Sequence, residues 1–256
     1  MLLACDIGNT RTKSVLFDKS GSSNFNSSTA LNEIIDNYRN KNISAVAFSS
    51  VVTRKSEEFI KLIKKNLKIS PYQITSSSKF NLRIDYLQPE TLGIDRICSA
   101  EGAYYLFNQS KEFKDYSKND FIISIDFGTA TTLNFVKFPG VFIGGIISPG
   151  IKMMTELLNS QTAELPKVSN LSYKKMIGRN TFEAISSGVV NSTVGLLEKS
   201  INELKIKYKA RKIHIYVTGG NSPAITPHLK IKHKLVNELV LIGVRAVYEK
   251  NIKSKL

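Results

Sequence analysis

Two short acidic motifs hold residues that could do chemistry. Asp6 begins the run DIGNTRTK, and Asp126 begins the run DFGTATT. Each carboxylate follows an apolar run of the kind that forms a buried strand, so each is expected at a strand tip. A glycine two residues later lets the backbone turn closely and expose N–H groups, and the hydroxyl groups that follow can donate to phosphate oxygens. The pattern therefore predicts a phosphate-binding turn at each place.

The spacing of the two motifs predicts an internal repeat. Three pairs of residues match at an offset of 120 positions: Asp6 with Asp126, Gly8 with Gly128, and Thr12 with Thr132. Strand-like sequence resumes after each motif, so each is expected to form the turn of a β-hairpin. A Walker loop differs, because it leads into a helix and carries Gly-Lys-Ser/Thr. Two ordinary turns that use Asp and Gly for conformational reasons are the alternative explanation.

A third candidate lies where a helix is expected to begin. Gly93 precedes Ile94, Asp95 and Arg96, and apolar residues with helical spacing continue through Phe107. A carboxylate in the first turn of a helix is favoured by the helix dipole, which explains Asp95 without any function. The dipole does not explain Arg96, because cations are disfavoured at that end. The pair beside a glycine therefore suggests a site.

The elements that must position these motifs follow the same order in each half. Strands are predicted over residues 2–5, 14–17, 25–29, 45–49, 72–75, 121–125, 132–137, 141–147 and 213–217. Helices alternate with the later strands, which indicates a mixed α/β structure. The last strand ends in Thr218-Gly219-Gly220, where glycine would allow a base or ribose to approach closely, or would simply form a tight turn. The polar run 108–119 lacks periodicity and predicts a boundary between domains 1–117 and 118–256.

Composition agrees with a globular protein of two domains. The chain has 256 residues, of which 42% are apolar. The start, MLLACD, leaves no room for a signal peptide, and the run 138–151 is broken by proline and glycine, so we expect a soluble, cytoplasmic protein without membrane association. Cys5 and Cys98 lie in apolar surroundings and are predicted to be small buried hydrophobes. The three histidines form no zinc pattern.

The charge of the chain is strongly positive. The 36 Lys and Arg residues against 21 Asp and Glu residues give a formal net charge of +15. Residues 199–256 contain thirteen Lys and Arg against three Glu, a local balance of 13 − 3 = +10. Such an excess would suit nucleic acid. The basic residues alternate with apolar ones, however, which is typical of solvated faces and disfavours a nucleic-acid partner.

Taken together and in order, the motifs resemble those of type III pantothenate kinases, in the acetate kinase, sugar kinase, Hsp70 and actin superfamily. The resemblance covers nearly the whole chain and is carried by Asp6-Ile7-Gly8-Asn9-Thr10, Gly93-Ile94-Asp95-Arg96, Asp126-Phe127-Gly128-Thr129-Ala130-Thr131-Thr132, Gly144-Gly145-Ile146-Ile147-Ser148-Pro149-Gly150, Gly178-Arg179-Asn180-Thr181 and Thr218-Gly219-Gly220. It implies two similar ribonuclease-H-like (actin-like ATPase) domains with a nucleotide cleft between them.

The resemblance also implies an activity, the ATP-dependent phosphorylation of pantothenate to 4'-phosphopantothenate, which is the first step of coenzyme A biosynthesis. It assigns the first phosphate loop to Asp6, Ile7, Gly8, Asn9, Thr10, Arg11, Thr12 and Lys13. Asp6 would hold Mg²⁺ directly or through water, and Lys13 would neutralise phosphate charge or point to solvent. Thr129 would contact ATP, and Asp126 would bind a monovalent cation, K⁺ or NH₄⁺.

The same resemblance implies a substrate site. Asp95 corresponds to the general base, with Gly93, Ile94 and Arg96 around it. Tyr86 and Thr181 correspond to pantothenate contacts, although a half-buried loop tyrosine and a plain helix N-cap explain the two residues equally simply. A homodimer is implied as well. One departure from the family is the length of the segment between Asp95 and Asp126, where the polar run 108–119 supplies the excess.

Two other functions fit parts of the pattern. Some proteins of the family are described as transcription-activating factors, which a basic, DNA-binding surface would suit. Another small-molecule kinase of the superfamily would share both hairpins but lack the Gly-Ile-Asp-Arg and Gly-Arg-Asn-Thr motifs. The presence of Asp6, Asp95, Arg96 and Asp126 together favours a working kinase.

Overall fold

The computed structural model describes residues 1–18 and 21–253; residues 19–20 and 254–256, which fall inside the two predicted domains, lie outside the described residues. The chain divides into two units. The first comprises Met1–Tyr116, Pro139–Gly144 and Glu238–Leu256, and the second comprises Ser117–Phe138 and Gly145–Asn237. The end of the chain thus belongs with its beginning.

The strands and helices have the following bounds. Strands β1 to β11 are Leu2–Ile7, Thr12–Phe17, Ser22–Ser28, Ala45–Ser50, Tyr72–Gln73, Arg83–Ile84, Phe121–Phe127, Ala130–Lys137, Val141–Pro149, Ile213–Thr218 and Lys234–Leu235. Helices α1 to α7 are Leu31–Tyr38, Thr53–Leu67, Ile94–Asn108, Ile151–Ser160, Thr181–Lys207, Ser222–Ile225 and Leu239–Lys253. None of the helices in the described ranges combines the length and the apolar character needed to cross a bilayer.

The two sheets share a common topology over five strands. The first sheet has the strand order β3-β2-β1-β4-β5, and the second has the corresponding order β9-β8-β7-β10-β11, with β6 added at the edge as a parallel partner of β9. In each, the central strand pairs antiparallel with the next strand of the chain and parallel with a later one: β1 with β2 and β4, and β7 with β8 and β10. The predicted mixed α/β fold with two similar halves is confirmed.

Side-chain alternation along β1 decides which groups face which helices of the first unit. Leu3, Cys5 and Ile7 are fully buried in one apolar cluster, to which α1 and α2 contribute residues such as Ile34 and Phe59. Because successive side chains of a strand point to opposite faces, Asp6 lies on the other face of the sheet. The carboxylate is therefore directed away from the α1 and α2 side.

Two glycines let α3 and α7 pack backbone against backbone inside the first unit. A Cβ atom on Gly102 would collide with the carbonyl oxygen of Leu239, and one on Gly243 would collide with the carbonyl oxygen of Cys98. Both Cys98 and Cys5 are fully buried, which confirms their prediction as buried hydrophobes. The close crossing holds α3, which carries Asp95 in its first turn, against the last helix of the described chain.

Candidate functional site

The first hairpin places an acidic side chain at a strand tip beside an exposed loop. Asp6 is 9% exposed and pairs in register with Lys13 on β2 and Ser49 on β4, so the three side chains share a face. The Ser49 hydroxyl donates a hydrogen bond of 2.7 Å to Oδ1 of Asp6. The N–H of Gly8 donates to the carbonyl oxygen of Arg11 at 3.0 Å and closes the turn. Asp6 is thus held in a fixed orientation.

The loop of the first hairpin is open to solvent. Asn9, Thr10 and Arg11 are exposed, whereas Ile7 and Thr12, which pair across the hairpin, are buried. Lys13 is half-buried. Of the eight residues predicted to form a phosphate loop, these three are therefore open to a ligand, Gly8 is half-buried in the turn, and the other four lie in β1 and β2.

Asp95 lies in the first turn of α3, and its carboxylate folds back over the start of the helix. Gly93 is the N-cap, and a Cβ atom there would lie only 2.6 Å from Oδ1 of Asp95. The partial positive charge of the helix terminus favours a carboxylate in this position. Arg96 is 6% exposed and Ile94 is 9% exposed, so both side chains are packed inside the unit.

Asp6 and Asp95 both lie near enough to Cys98 for their charges to affect its thiol. Burial raises the pKa of the Cys98 thiol well above its ordinary value, and the charges of Asp6, Glu101 and Asp95 raise it further. A hydrogen bond with Ser49 opposes the rise. Ser49 therefore contacts both the Asp6 carboxylate and the Cys98 thiol, one turn of helix from Asp95. The structure brings together the predicted metal-holding and proton-accepting carboxylates within the first unit.

Tyr86 lies in the segment that follows β6. It is half-buried, and its ring meets the ring of Phe142 edge-on at a centroid distance of 6.2 Å. A Cβ atom on Gly144 would lie 4.0 Å from Cε2 of Tyr86. Tyr86 thus rests on the beginning of β9, a position that fits both a substrate contact and a half-buried loop tyrosine.

The second hairpin is held by close backbone packing around Asp126, which is half-buried. Gly219 adopts a φ of +103°, a left-handed conformation that favours glycine. A Cβ atom there would lie 2.5 Å from backbone atoms of Phe127 and closer still to Oδ1 of Asp126. The glycine after the last predicted strand therefore serves to admit the hairpin backbone and the Asp126 carboxylate.

Backbone groups of the second loop are bound from two further elements. Nδ2 of Asn221 donates to the carbonyl oxygen of Gly128 at 2.8 Å, and its backbone N–H donates to that of Phe127 at 3.0 Å. The N–H of Gly150, the N-cap of α4, donates to the carbonyl oxygen of Thr129 at 3.1 Å. Thr129 itself is exposed. These contacts fix the path of the loop.

The two hairpins differ in loop length by one residue. Ile7 pairs with Thr12 in the first, and Phe127 pairs with Thr131 in the second. The predicted match of Thr12 with Thr132 is therefore wrong: Thr12 corresponds to Thr131, and Lys13 occupies the place of Thr132. A constant offset of 120 positions cannot hold across turns of unequal length.

Thr181 lies in the first turn of α5. The N-cap is Asn180, whose Oδ1 accepts from the N–H of Glu183 at 3.0 Å, so the N-cap explanation of Thr181 is wrong. Thr181 is exposed and lines a mainly apolar cavity of about 760 Å³ between α4 and α5. Neither Asp126 nor Thr129 lines that cavity.

The sequence of the chain is similar to proteins of one enzyme family. The type III pantothenate kinase model matches residues 2–203. A type III pantothenate kinase of Sulfurihydrogenibium sp. (strain YO3AOP1) is 31% identical over 258 residues, covering 95% of this chain and 98% of that protein. One from Herminiimonas arsenicoxydans is 32% identical over 261 residues, covering 96% of this chain and 97% of that protein. The chain belongs to the type III pantothenate kinase family.

Solved structures agree with the fold expected of this family. A Baf family protein from Campylobacter jejuni has a TM-score of 0.60 at 19% identity, covering 98% of this chain and 99% of that chain. A glucokinase from an Antarctic psychrotroph has a TM-score of 0.50 at 13% identity, covering 97% of this chain and 98% of that chain. These likenesses show the actin-like ATPase and sugar kinase fold.

The first hairpin suits the oxygen chemistry of a nucleotide-bound Mg²⁺. Mg²⁺ is usually held by one or two carboxylates together with water and phosphate oxygens, and Asp6 supplies such a carboxylate. Among the residues that the structure describes, no group of three or more His, Cys, Asp or Glu side chains could form a metal site made of protein ligands alone. A single carboxylate beside the exposed loop of the first hairpin fits the ion in this way.

The sequence analysis did not predict three residues that contact the two candidate hairpins. They are Ser49 on Asp6, Lys55 on the first loop and Asn221 on the second. Lys55 carried a signal that could have been used, because a cation in the first turn of a helix opposes the helix dipole. Asn221 follows a recognised glycine pair directly. Ser49 gave no signal beyond its place at the end of a predicted strand.

Proposed function

We propose that this chain transfers the γ-phosphoryl group of ATP to the primary hydroxyl of pantothenate and forms 4'-phosphopantothenate. Membership in the type III pantothenate kinase family supports a kinase, and hence a transferase, of coenzyme A biosynthesis. The observation that carries the proposal is that Ser49 hydrogen-bonds to the Asp6 carboxylate and to the thiol of Cys98, one helical turn after Asp95. This arrangement supports a phosphate-side role for Asp6 and a hydroxyl-side role for Asp95.

Phosphoryl transfer depends mainly on positioning and on stabilising charge. Asp95 orients the attacking hydroxyl and accepts its proton late in a loose transition state, so a strongly raised pKa is not needed. The N–H groups of the exposed first loop bind phosphate oxygens. Asp6 would hold Mg²⁺, which would neutralise phosphate charge. Lys13, on the same face as Asp6, adds positive charge there.

The remaining roles are proposed on the family resemblance and on the positions of the residues. Gly93, Ile94, Arg96, Tyr86 and Thr181 contribute to pantothenate binding, with Ile94 acting through its main chain because its side chain is buried. Asp126, at a strand tip against Gly219, binds K⁺ or NH₄⁺, and the exposed Thr129 contacts ATP.

Family resemblance also supports a homodimer. The two actin-like domains, residues 1–117 and 118–256, and a cytoplasmic location stay predictions. Basic residues that alternate with apolar ones favour small-molecule partners over nucleic acid. The Campylobacter jejuni neighbour is described as a transcriptional activator, which keeps DNA binding as the alternative outcome of the test.

A coupled assay tests the activity directly. Purified protein with ATP, Mg²⁺ and K⁺ is expected to release ADP only when pantothenate is added. Asp95→Asn should lower kcat by a factor of about 10² to 10⁴, because it removes the proton acceptor while the loop that binds ATP is unchanged. Asp36→Asn, an exposed aspartate on α1, is the matched control and should retain full turnover.

Two results would contradict the proposal. Near wild-type turnover of Asp95→Asn would remove the general base assignment, and strong DNA retention without turnover would favour the regulator.

The proposed cation site has its own test. Activity should collapse when Na⁺ is the only monovalent cation, and Asp126→Asn should weaken the activation by K⁺. Equal rates in Na⁺ and K⁺ would remove the assignment of Asp126 and leave that of Asp95 intact.

A further inference from the structure

Lys55 occupies a place that helix stability alone does not explain. It is the third residue of α2, whose N-cap is Val52 and whose first turn contains no acidic residue. The helix dipole disfavours a cation there by about 0.3–1 kcal/mol. No acidic side chain in the first turn offsets this cost, so a reason for the lysine is expected in what its side chain contacts.

The Lys55 side chain reaches the first hairpin loop of the same unit. Its ammonium donates to the carbonyl oxygen of Asn9 at 2.7 Å and to that of Gly8 at 3.2 Å. Both are main-chain contacts with the segment that is proposed to bind phosphate. Hydrogen bonds from a charged donor are roughly twice as strong as those between neutral groups, so these contacts can hold a short loop in one conformation.

The two contacts determine where the loop N–H groups point. A trans peptide directs its C=O and the following N–H to opposite sides. Because Lys55 binds the carbonyls of Gly8 and Asn9, the N–H groups of Asn9 and Thr10 point away from it, on a stretch that is exposed. Successive N–H groups directed outward form a concave site for anions.

The second unit binds its hairpin loop from the corresponding place. β10 and β4 are both parallel partners of a central strand, and each is followed by a helix, α6 or α2. Asn221, the N-cap of α6, donates its side-chain N–H to the carbonyl of Gly128, as Lys55 does to that of Gly8. One fold thus places a loop-binding donor at one topological position twice, but only the first donor carries charge.

We propose that Lys55 is a positioning residue for nucleotide binding: its ammonium clamps the Gly8 and Asn9 carbonyls so that the loop N–H groups face the phosphates. The inference rests on the proposed function, since it takes ATP to be the ligand of this loop. The positive charge behind the loop also favours a polyphosphate, which a neutral amide at this position would not do.

Nucleotide affinity of matched variants tests the clamp. Lys55→Met should raise the Kd for MgADP, measured by calorimetry, and the KM for ATP by about 10- to 100-fold, because it removes two charge-assisted hydrogen bonds that order the loop. The KM for pantothenate should change by less than about twofold, because Lys55 contacts the loop that is proposed to bind ATP and not the proposed pantothenate residues. Lys55→Gln keeps a donor without charge and should give an intermediate Kd.

Arg54→Met is the control for charge. Arg54 is exposed and lies in the same turn of α2. Its replacement by Met removes one positive charge, as Lys55→Met does, but should leave the Kd for MgADP unchanged. A melting temperature for each variant separates loop positioning from loss of folding. Should Lys55→Met fail to fold, the comparison of Lys55→Gln with Arg54→Gln decides in its place.

The outcomes separate this inference from the proposed function. Equal Kd values of Lys55→Met and Arg54→Met for MgADP would overturn the proposed role of Lys55. The same conclusion would follow if Lys55→Met raised the KM for ATP and the KM for pantothenate by the same factor. It would also follow if the wild-type protein did not bind MgADP. If the wild-type protein binds MgADP but releases ADP from ATP without pantothenate, the proposed substrate is wrong. The ratio of the Kd values of Lys55→Met and Arg54→Met for MgADP would still test the role of Lys55.

Discussion

The two hairpins share a chain path but are supported in different ways. Side chains hold the first, with Ser49 on its carboxylate and the charged Lys55 on its loop carbonyls. Close backbone packing at Gly219 and Gly150 and a neutral amide from Asn221 hold the second. The common topology thus decides where a loop will be, while local side chains decide its rigidity and the charge that surrounds it.

A second difference between the units concerns one buried carboxylate in each. Glu101 in the first unit accepts hydrogen bonds from the N–H of Leu82 and from Nδ2 of Asn81, both at 2.8 Å and both neutral. Asp120 in the second accepts from Nε and Nη2 of Arg211 at 2.9 and 2.7 Å and from two backbone N–H groups. Both side chains are fully buried, so the two carboxylates differ in their hydrogen-bond partners and not in their exposure.

The pKa values of these carboxyl groups move in opposite directions. Burial raises the pKa of Glu101, and its hydrogen bonds only partly oppose the rise. Burial would raise that of Asp120 as well, but the hydrogen bonds and charge of Arg211, with the N–H groups of Ser117 and Lys212, bring it below its ordinary value. A cationic partner therefore reverses the effect of burial.

The largest expected effect tests the difference in loop support. Gly219→Ala should lower the free energy of unfolding by about 4 kcal/mol, since the new Cβ meets the backbone of Phe127 and the φ is left-handed. Gly8→Ala should cost no more than about 1 kcal/mol, because the new Cβ meets only the carbonyl oxygen of Arg11 at 3.1 Å. Urea unfolding measures both, and equal losses would remove the distinction between the loops.

The next largest effect is expected for Asp120→Asn. This substitution should lower the free energy of unfolding by about 3 kcal/mol at pH 7, because one carboxylate oxygen becomes an NH₂ group that faces two donors. A lowered pKa in the folded state contributes stability above the unfolded value, 3.8, and this contribution is lost as the pH falls through the folded value. The defect should therefore shrink below pH 3.8. Melting temperatures at pH 3 and pH 7 test this, and a defect independent of pH would contradict it.

Glu101→Gln should show the smallest effect and the opposite dependence on pH. A raised pKa in the folded state means that stability is fully present below the unfolded value, 4.5, and is lost as the pH rises through the folded value. Gln cannot ionise, so its melting temperature relative to wild type should improve between pH 4 and pH 8, on a background cost of about 1 kcal/mol for one lost acceptor. A relative melting temperature that falls over this range would refute the prediction.

Local sequence predicted the hairpins because their signals are local. An apolar run, an Asp-x-Gly turn and a second strand lie within sixteen residues, and the pairings of β1 with β2 and of β7 with β8 follow. The start of α5 was misjudged by one residue, since Asn180 and Thr181 are both acceptable N-caps and only the bond to Glu183 distinguishes them. The roles of the predicted site residues stay a proposal.

Periodicity and motif spacing by themselves determined the α/β class, the repeat and the two acidic strand tips, because each depends on neighbours along the chain. Only the tertiary structure decided that the last helix returns to the first unit, where Gly243 packs on Cys98. It also decided that Ser49 joins Asp6 to the helix of Asp95, and that Lys55 lies behind the loop. Such contacts join residues tens of positions apart, and no local pattern records which distant partner a side chain will meet.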